Sequence, residues 1–181
     1  AAVQYMRGIV KSVTLAGTSR GTLRIAQAVA AGARPDGVVF TAGFMQQVQG
    51  ILGSPGSLPR TLVVHHREDT CRFTLPAAVE PFVQWSGGKA RAVWITGGTT
   101  TGNVCEARAY HGFNGVDGKV VSAVAGFEIE AVVTSSLGAV AGAGFFWTVA
   151  VTGFAVLTCL TVLRGLVFLW RRHGKQRTFC C

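Results

Sequence analysis

The sequence predicts an α/β layer built on a mostly parallel sheet of about four strands, followed by a hydrophobic helix of membrane type. Three observations carry this reading. Short, continuous apolar runs alternate with longer stretches of helical spacing, the pattern of parallel strands buried on both faces beneath helices. The composition then changes once, near Glu130, where the alternation stops. From Ala131 to Leu163 there is no charged side chain, a run of 33 residues.

Val13–Leu15 leads into Gly17 and reads as the first strand, with Gly21–Ala31 as the helix that follows. Val38–Phe40 comes after the turn-forming Pro35-Asp36-Gly37 and reads as the second strand. Gly50–Pro59, rich in Gly, Ser and Pro, reads as a loop. Thr61–His65 follows Pro59-Arg60 as the third strand, and Leu75–Trp85 is the next helix. Ala92–Ile95 runs into Gly97-Gly98 as the fourth strand, and Asp117–Phe127 closes the layer as a helix. Helices on both faces of such a sheet make three layers. The expected organisation is therefore an α/β domain over 1–130 and a hydrophobic segment with a basic tail over 131–181.

A membrane-spanning helix needs about 20 apolar residues. Phe145–Leu163 is the best window, with Leu166–Trp170 extending it and Trp147 and Trp170 placed as interfacial aromatics. Arg164 is near enough to the end to snorkel. Arg171, Arg172, Lys175 and Arg177 follow and would hold the C-terminus in the cytoplasm, leaving 1–130 outside it, periplasmic or extracellular. A buried core helix is the alternative. The chain opens on Ala1 with no signal-peptide pattern, so its beginning reads as processed or truncated.

The 181 residues are 49% hydrophobic and 14% charged, which excludes a disordered chain. The net charge of +9 does not point to nucleic acid. Up to Glu130 the 12 Lys and Arg exceed the 8 Asp and Glu by four, while the last 51 residues hold five basic residues and no acid. The excess is concentrated in the tail, and no basic face interleaved with aromatics precedes it.

Chemistry gathers in three places. Gly17-Thr18-Ser19-Arg20-Gly21 is G-x-S-x-G between a predicted strand and a predicted helix. Small residues on both sides of Ser19 permit a tight, strained turn that lifts its hydroxyl out of the backbone. The Arg20 N–H then points where an oxyanion would form. Second, His65-His66-Arg67-Glu68-Asp69-Thr70-Cys71 leaves the third strand, and an acid there can turn toward a histidine on a neighbouring loop; Asp69 is the first choice and Glu68 the fallback. Third, His111 lies in a loop after the fourth strand, where the adjacent Gly112 would let its ring swing over the sheet edge. The order Ser19, Asp69, His111, each beyond a strand's carboxyl end, is the order of a hydrolase triad.

No metal is expected. Five cysteines form no C-x-x-C pair, and His65 and His66, adjacent on an extended strand, point oppositely. Cys71 and Cys105 flank the acid and histidine loops, so a disulfide between them is expected, with two unpaired thiols as the alternative.

On these residues Val13 to Phe127 resembles the C-terminal half of an α/β-hydrolase. The Gly17–Gly21 elbow, the Val63-Val64-His65-His66…Asp69…Cys71 block and Cys105…His111-Gly112-Phe113 carry the likeness. The last two blocks are similar to a group of bacterial serine hydrolases of poorly defined substrate. The resemblance implies Ser19 as nucleophile, His111 as general base and acid, and Asp69 as the group orienting the imidazole, with no cofactor. It implies an ester, thioester or amide as substrate, cleaved through an acyl-serine intermediate. Such enzymes begin with several further strands and a loop giving a second oxyanion donor, which this sequence lacks, and they finish near the helix expected to end at Phe127. The first strand is therefore expected at an open edge and the isolated chain as a poor catalyst. The competing reading is a non-catalytic, membrane-anchored α/β interaction module.

Overall fold

The structure, a computed structural model of the chain, describes residues 2–141. Four strands, β1 (Thr14–Thr18), β2 (Gly37–Thr41), β3 (Arg60–His66) and β4 (Ala90–Ile95), pair side by side in sequence order, every pair parallel. Between them run α2 (Arg20–Ala30), α3 (Met45–Leu52) and α4 (Val79–Trp85), preceded by α1 (Ala2–Arg7) and followed by α5 (Asp117–Ala141). The sheet lies within one compact unit, Ala1–Val132. Of the second unit, Val133–Cys181, the structure describes only the end of α5.

Alternation along β2 and β3 splits the core in two. Val38, Phe40 and Val63 point to one face, where they meet Ile25 and Val29 of α2, Met45 and Val48 of α3 and Phe82 of α4. Val39, Leu62 and Val64 point to the other, where Phe113, Val116 and Phe127 cover them. This gives the three layers, and it explains why β2 and β3 read as unbroken apolar runs: every residue of β2 is buried and only Arg60 of β3 is not. The strand β1 is paired on one side only among the described residues and is half-exposed along its length. Polar clasps seat α5 on its face of the sheet. Thr14 donates to Glu128 at 3.0 Å, and the Arg60 guanidinium lies 3.5 Å above the Phe127 ring while donating to the Phe127 carbonyl.

Three sequence expectations need correction. Residues 50–52 are helical rather than loop, because Met45, Val48 and Leu52 bury one stripe of α3 despite the glutamines between them. A Pro55–Ser57 turn, capped by Ser54, then supplies the break. Leu75–Trp85 begins as a 3-10 turn at Pro76–Ala78 before α4 proper. The closing helix does not end at Phe127. No proline follows it, and α5 continues through Glu130 to Ala141. Among the described residues no helix is long and apolar enough to cross a membrane. The window Phe145–Leu163 lies outside them.

Candidate active site

The parallel register brings the carboxyl ends of the strands to one edge: Thr18 pairs with Thr41, Thr41 with Val64, and His66 with Ile95. Ser19 follows β1 there with φ 52° and ψ −120°, a conformation a residue with a side chain seldom adopts. The turn is locked by backbone: Ser19 N–H donates to the Thr41 carbonyl at 2.9 Å, and the Ser19 carbonyl accepts from both the amide and the hydroxyl of Thr22. The two glycines of the motif are not equivalent. A Cβ on Gly17 would stand 2.8 Å from the Gly21 backbone, whereas a Cβ on Gly21 meets nothing within 4 Å. Tight packing therefore falls on Gly17. Ser19 is half-buried and its hydroxyl does not cap α2. Arg20 is the first helical residue, so its N–H is one of the amides a helix start leaves without an intrahelical partner.

The acid and histidine are brought together. Asp69 is 2% exposed and His111 4% exposed, and His111 Nδ1 stands 3.0 Å from Asp69 Oδ2. Glu68 is exposed, which removes it as the acid. Thr74, a residue sequence reasoning missed, completes a triangle. Its hydroxyl donates to Asp69 Oδ2 at 3.1 Å and lies 3.0 Å from His111 Nδ1. The other carboxylate oxygen accepts from the Cys71 N–H at 2.9 Å. Burial opposes ionisation of Asp69, but hydrogen bonding from His111 and the Cys71 N–H, with the His65 ring nearby, outweighs it and holds the carboxyl well below the usual carboxylate range. A carboxylate on the Nδ1 side puts the ring proton there and leaves Nε2 as the basic atom.

A Cβ on Gly112 would lie 2.2 Å from the Ala107 carbonyl oxygen, so the glycine is needed for close packing rather than for mobility. The His111 ring sits in a short 3-10 turn, Tyr110–Gly112, and Tyr110 stacks on His66 with ring centres 4.5 Å apart and planes 8° apart. His66 is itself fixed, accepting from the Glu68 N–H at Nδ1 and donating from Nε2 to the Gly97 carbonyl at 2.8 Å. Cys71 and Cys105 form a disulfide, Cα atoms 4.8 Å apart, tying the acid loop to the histidine loop.

Ser19 is not joined to the pair: the hydrogen-bond partners of the His111 ring are Asp69 and Thr74 through Nδ1. The expected hydrogen bond to Ser19 Oγ is absent from the described residues. Ser19 is placed by the β1–α2 backbone and His111 by its own turn and the acid loop, and Phe44 links the two supports, its N–H donating to Thr22 Oγ1 at 3.3 Å. Beside the site, Phe44, after β2, stacks on Phe73 of the acid loop at 6.1 Å. His65 and His66 point to opposite faces, and among the described residues no cluster of three His, Cys, Asp or Glu is placed to hold a metal ion.

Together these observations define an α/β protein with a buried carboxylate–imidazole pair and a strained serine turn at the same edge of a parallel sheet. Neither protein-family models, nor curated proteins, nor solved structures give a match to the chain.

Proposed function

We propose that this chain is an α/β-hydrolase-type serine hydrolase that cleaves an ester, thioester or amide. The observation that carries the reading is the buried Asp69–His111 contact of 3.0 Å, at the sheet edge where Ser19 takes its strained turn. In the reaction Ser19 Oγ attacks the substrate carbonyl carbon while His111 Nε2 accepts the hydroxyl proton. Asp69 offsets the charge that forms on the imidazole, and the Arg20 N–H donates to the oxyanion. The intermediate collapses to acyl-Ser19 as His111 returns the proton to the leaving oxygen, sulfur or nitrogen. Water, deprotonated by His111, then releases the acid and restores Ser19. No step calls for a cofactor.

A fluorophosphonate tests this, because it bonds covalently to an activated serine. Mass spectrometry should place the adduct on the peptide containing Ser19, with none in Ser19→Ala. An unlabelled Ser19 in folded protein would exclude the reading.

One observation favours the alternative, a non-catalytic interaction module. Ser19 lies outside hydrogen bonding with His111, just after a strand that is paired on one side only among the described residues. We also propose that the uncharged run 131–163 anchors the chain in a membrane with the α/β part outside the cytoplasm. The disulfide supports that compartment, since such bonds persist under oxidising conditions.

A further inference from the structure

His65 has no role in the chemistry above, yet its position demands one. Its side chain is fully buried, and neither ring nitrogen has a hydrogen-bond partner; these are the unpaired buried side-chain nitrogens among the described residues. A buried polar atom without a partner is costly, and an apolar ring would fill the same space without that cost. His66, one residue on, shows the contrast: both its nitrogens are satisfied.

The nearest polar group explains the exception. His65 Nε2 stands 3.5 Å from Asp69 Oδ2, at the outer limit of a hydrogen bond. Oδ2 is also the oxygen that meets His111 and Thr74. The His65 ring packs edge-on to Trp94 with centres 6.1 Å apart, and the Trp94 indole N–H is held by Glu80 of α4 at 3.1 Å. The imidazole is thus braced by Trp94 and α4, with one nitrogen toward the carboxylate.

We propose that His65 is a positioning residue: its Nε2–H steadies the Asp69 carboxylate through Oδ2, so that Oδ2 stays on His111 Nδ1. When His111 gains a proton during turnover, the carboxylate is drawn toward it, and His65 resists that rotation. The catalytic consequence rests on the hydrolase reading, while the structural one does not.

The test uses the full chain in detergent micelles and two variants. His65→Phe keeps a planar ring without a donor, and His65→Gln places an amide N–H where Nε2 lies. Two readouts are compared at one fixed pH: the rate of Ser19 labelling by a fluorophosphonate, and the NMR resonance of the His111 Nδ1 proton. His65→Phe should slow labelling about 10- to 100-fold, the usual cost of losing an outer partner of a functional histidine contact. It should also shift or broaden the His111 resonance, and His65→Gln should restore most of both. The proposal is overturned if both variants match the native chain, or if both are impaired alike, since that outcome assigns His65 to packing. Should the native chain resist labelling, the hydrolase reading fails by itself, and the His111 resonance still decides for or against His65. If His65→Phe does not fold, His65→Gln decides: a native resonance supports the donor role, and a lost one contradicts it.

Discussion

The two halves of the site are built to different standards. Asp69 and His111 are sealed in the interior, cross-linked through Cys71–Cys105, and held by Thr74, the Cys71 N–H and the Tyr110–His66 stack. Ser19 has a rigid backbone but a half-exposed side chain, just after a strand with one partner among the described residues. The difference follows from what each half must stabilise. A carboxylate taken out of water needs donors on its oxygens or it does not stay ionised. A hydroxyl at the surface can be satisfied by water, so the elbow needs only to fix direction. The acid–histidine pair is thus preorganised by burial, and the serine by backbone strain.

Replacing the buried charge should break that contrast most severely. Asp69→Asn keeps the shape but offers an amide that stabilises the wrong imidazole tautomer, and Ser19 labelling should fall on the order of 10⁴-fold. Thermal unfolding should show whether the fold survives. Opening the Cys71–Cys105 bridge comes next. For cysteines 34 residues apart the chain-entropy cost is about 3–4 kcal/mol, read as a lower midpoint in denaturant for Cys71→Ser/Cys105→Ser. The same variant should loosen the Cys71 N–H bond to Asp69 and slow labelling as well.

The serine half sharpens the comparison through its glycines. Gly17→Ala must displace the Gly21 backbone and should cost about 1–3 kcal/mol with loss of labelling. Gly21→Ala meets open space in a helix and should be neutral or stabilising by up to about 1 kcal/mol. Equal losses at both would contradict the asymmetry.

The smallest effect is on acid stability. Because the folded pKa of Asp69 lies below its unfolded value of 3.8, its contribution is complete above the ordinary carboxylate range and is lost as pH falls below it. Acid titration of the fold should therefore show a shallower decline in Asp69→Asn than in the native chain.

Sequence made the strands legible because β2 and β3 are buried on both faces and so carry uninterrupted apolar runs. It also placed Ser19, Asp69 and His111 at the right ends of the right strands, since a parallel sheet sends every loop after a strand to one edge. What it hid was tertiary. The stripe Met45, Val48 and Leu52 is diluted by Gln46, Gln47 and Gln49, so α3 read partly as loop. Thr74 is an ordinary loop threonine until the fold sets it against two partners five and 37 residues away. His65 and His66 differ in role although adjacent in sequence, because only one faces Asp69. Gly112 suggested freedom, but the carbonyl of Ala107 packs where its side chain would be.

Whether the two halves act together is the central claim, and a double-variant comparison tests it most directly. Hydrolysis of p-nitrophenyl butyrate would be measured for the native chain, Ser19→Ala, His111→Ala and the combination. Groups that act as one unit lose nearly everything with either member, so the double variant should be no slower than the slower single variant. Losses that multiply, or a His111→Ala chain as active as the native one, would show that serine and histidine do not form one catalytic unit.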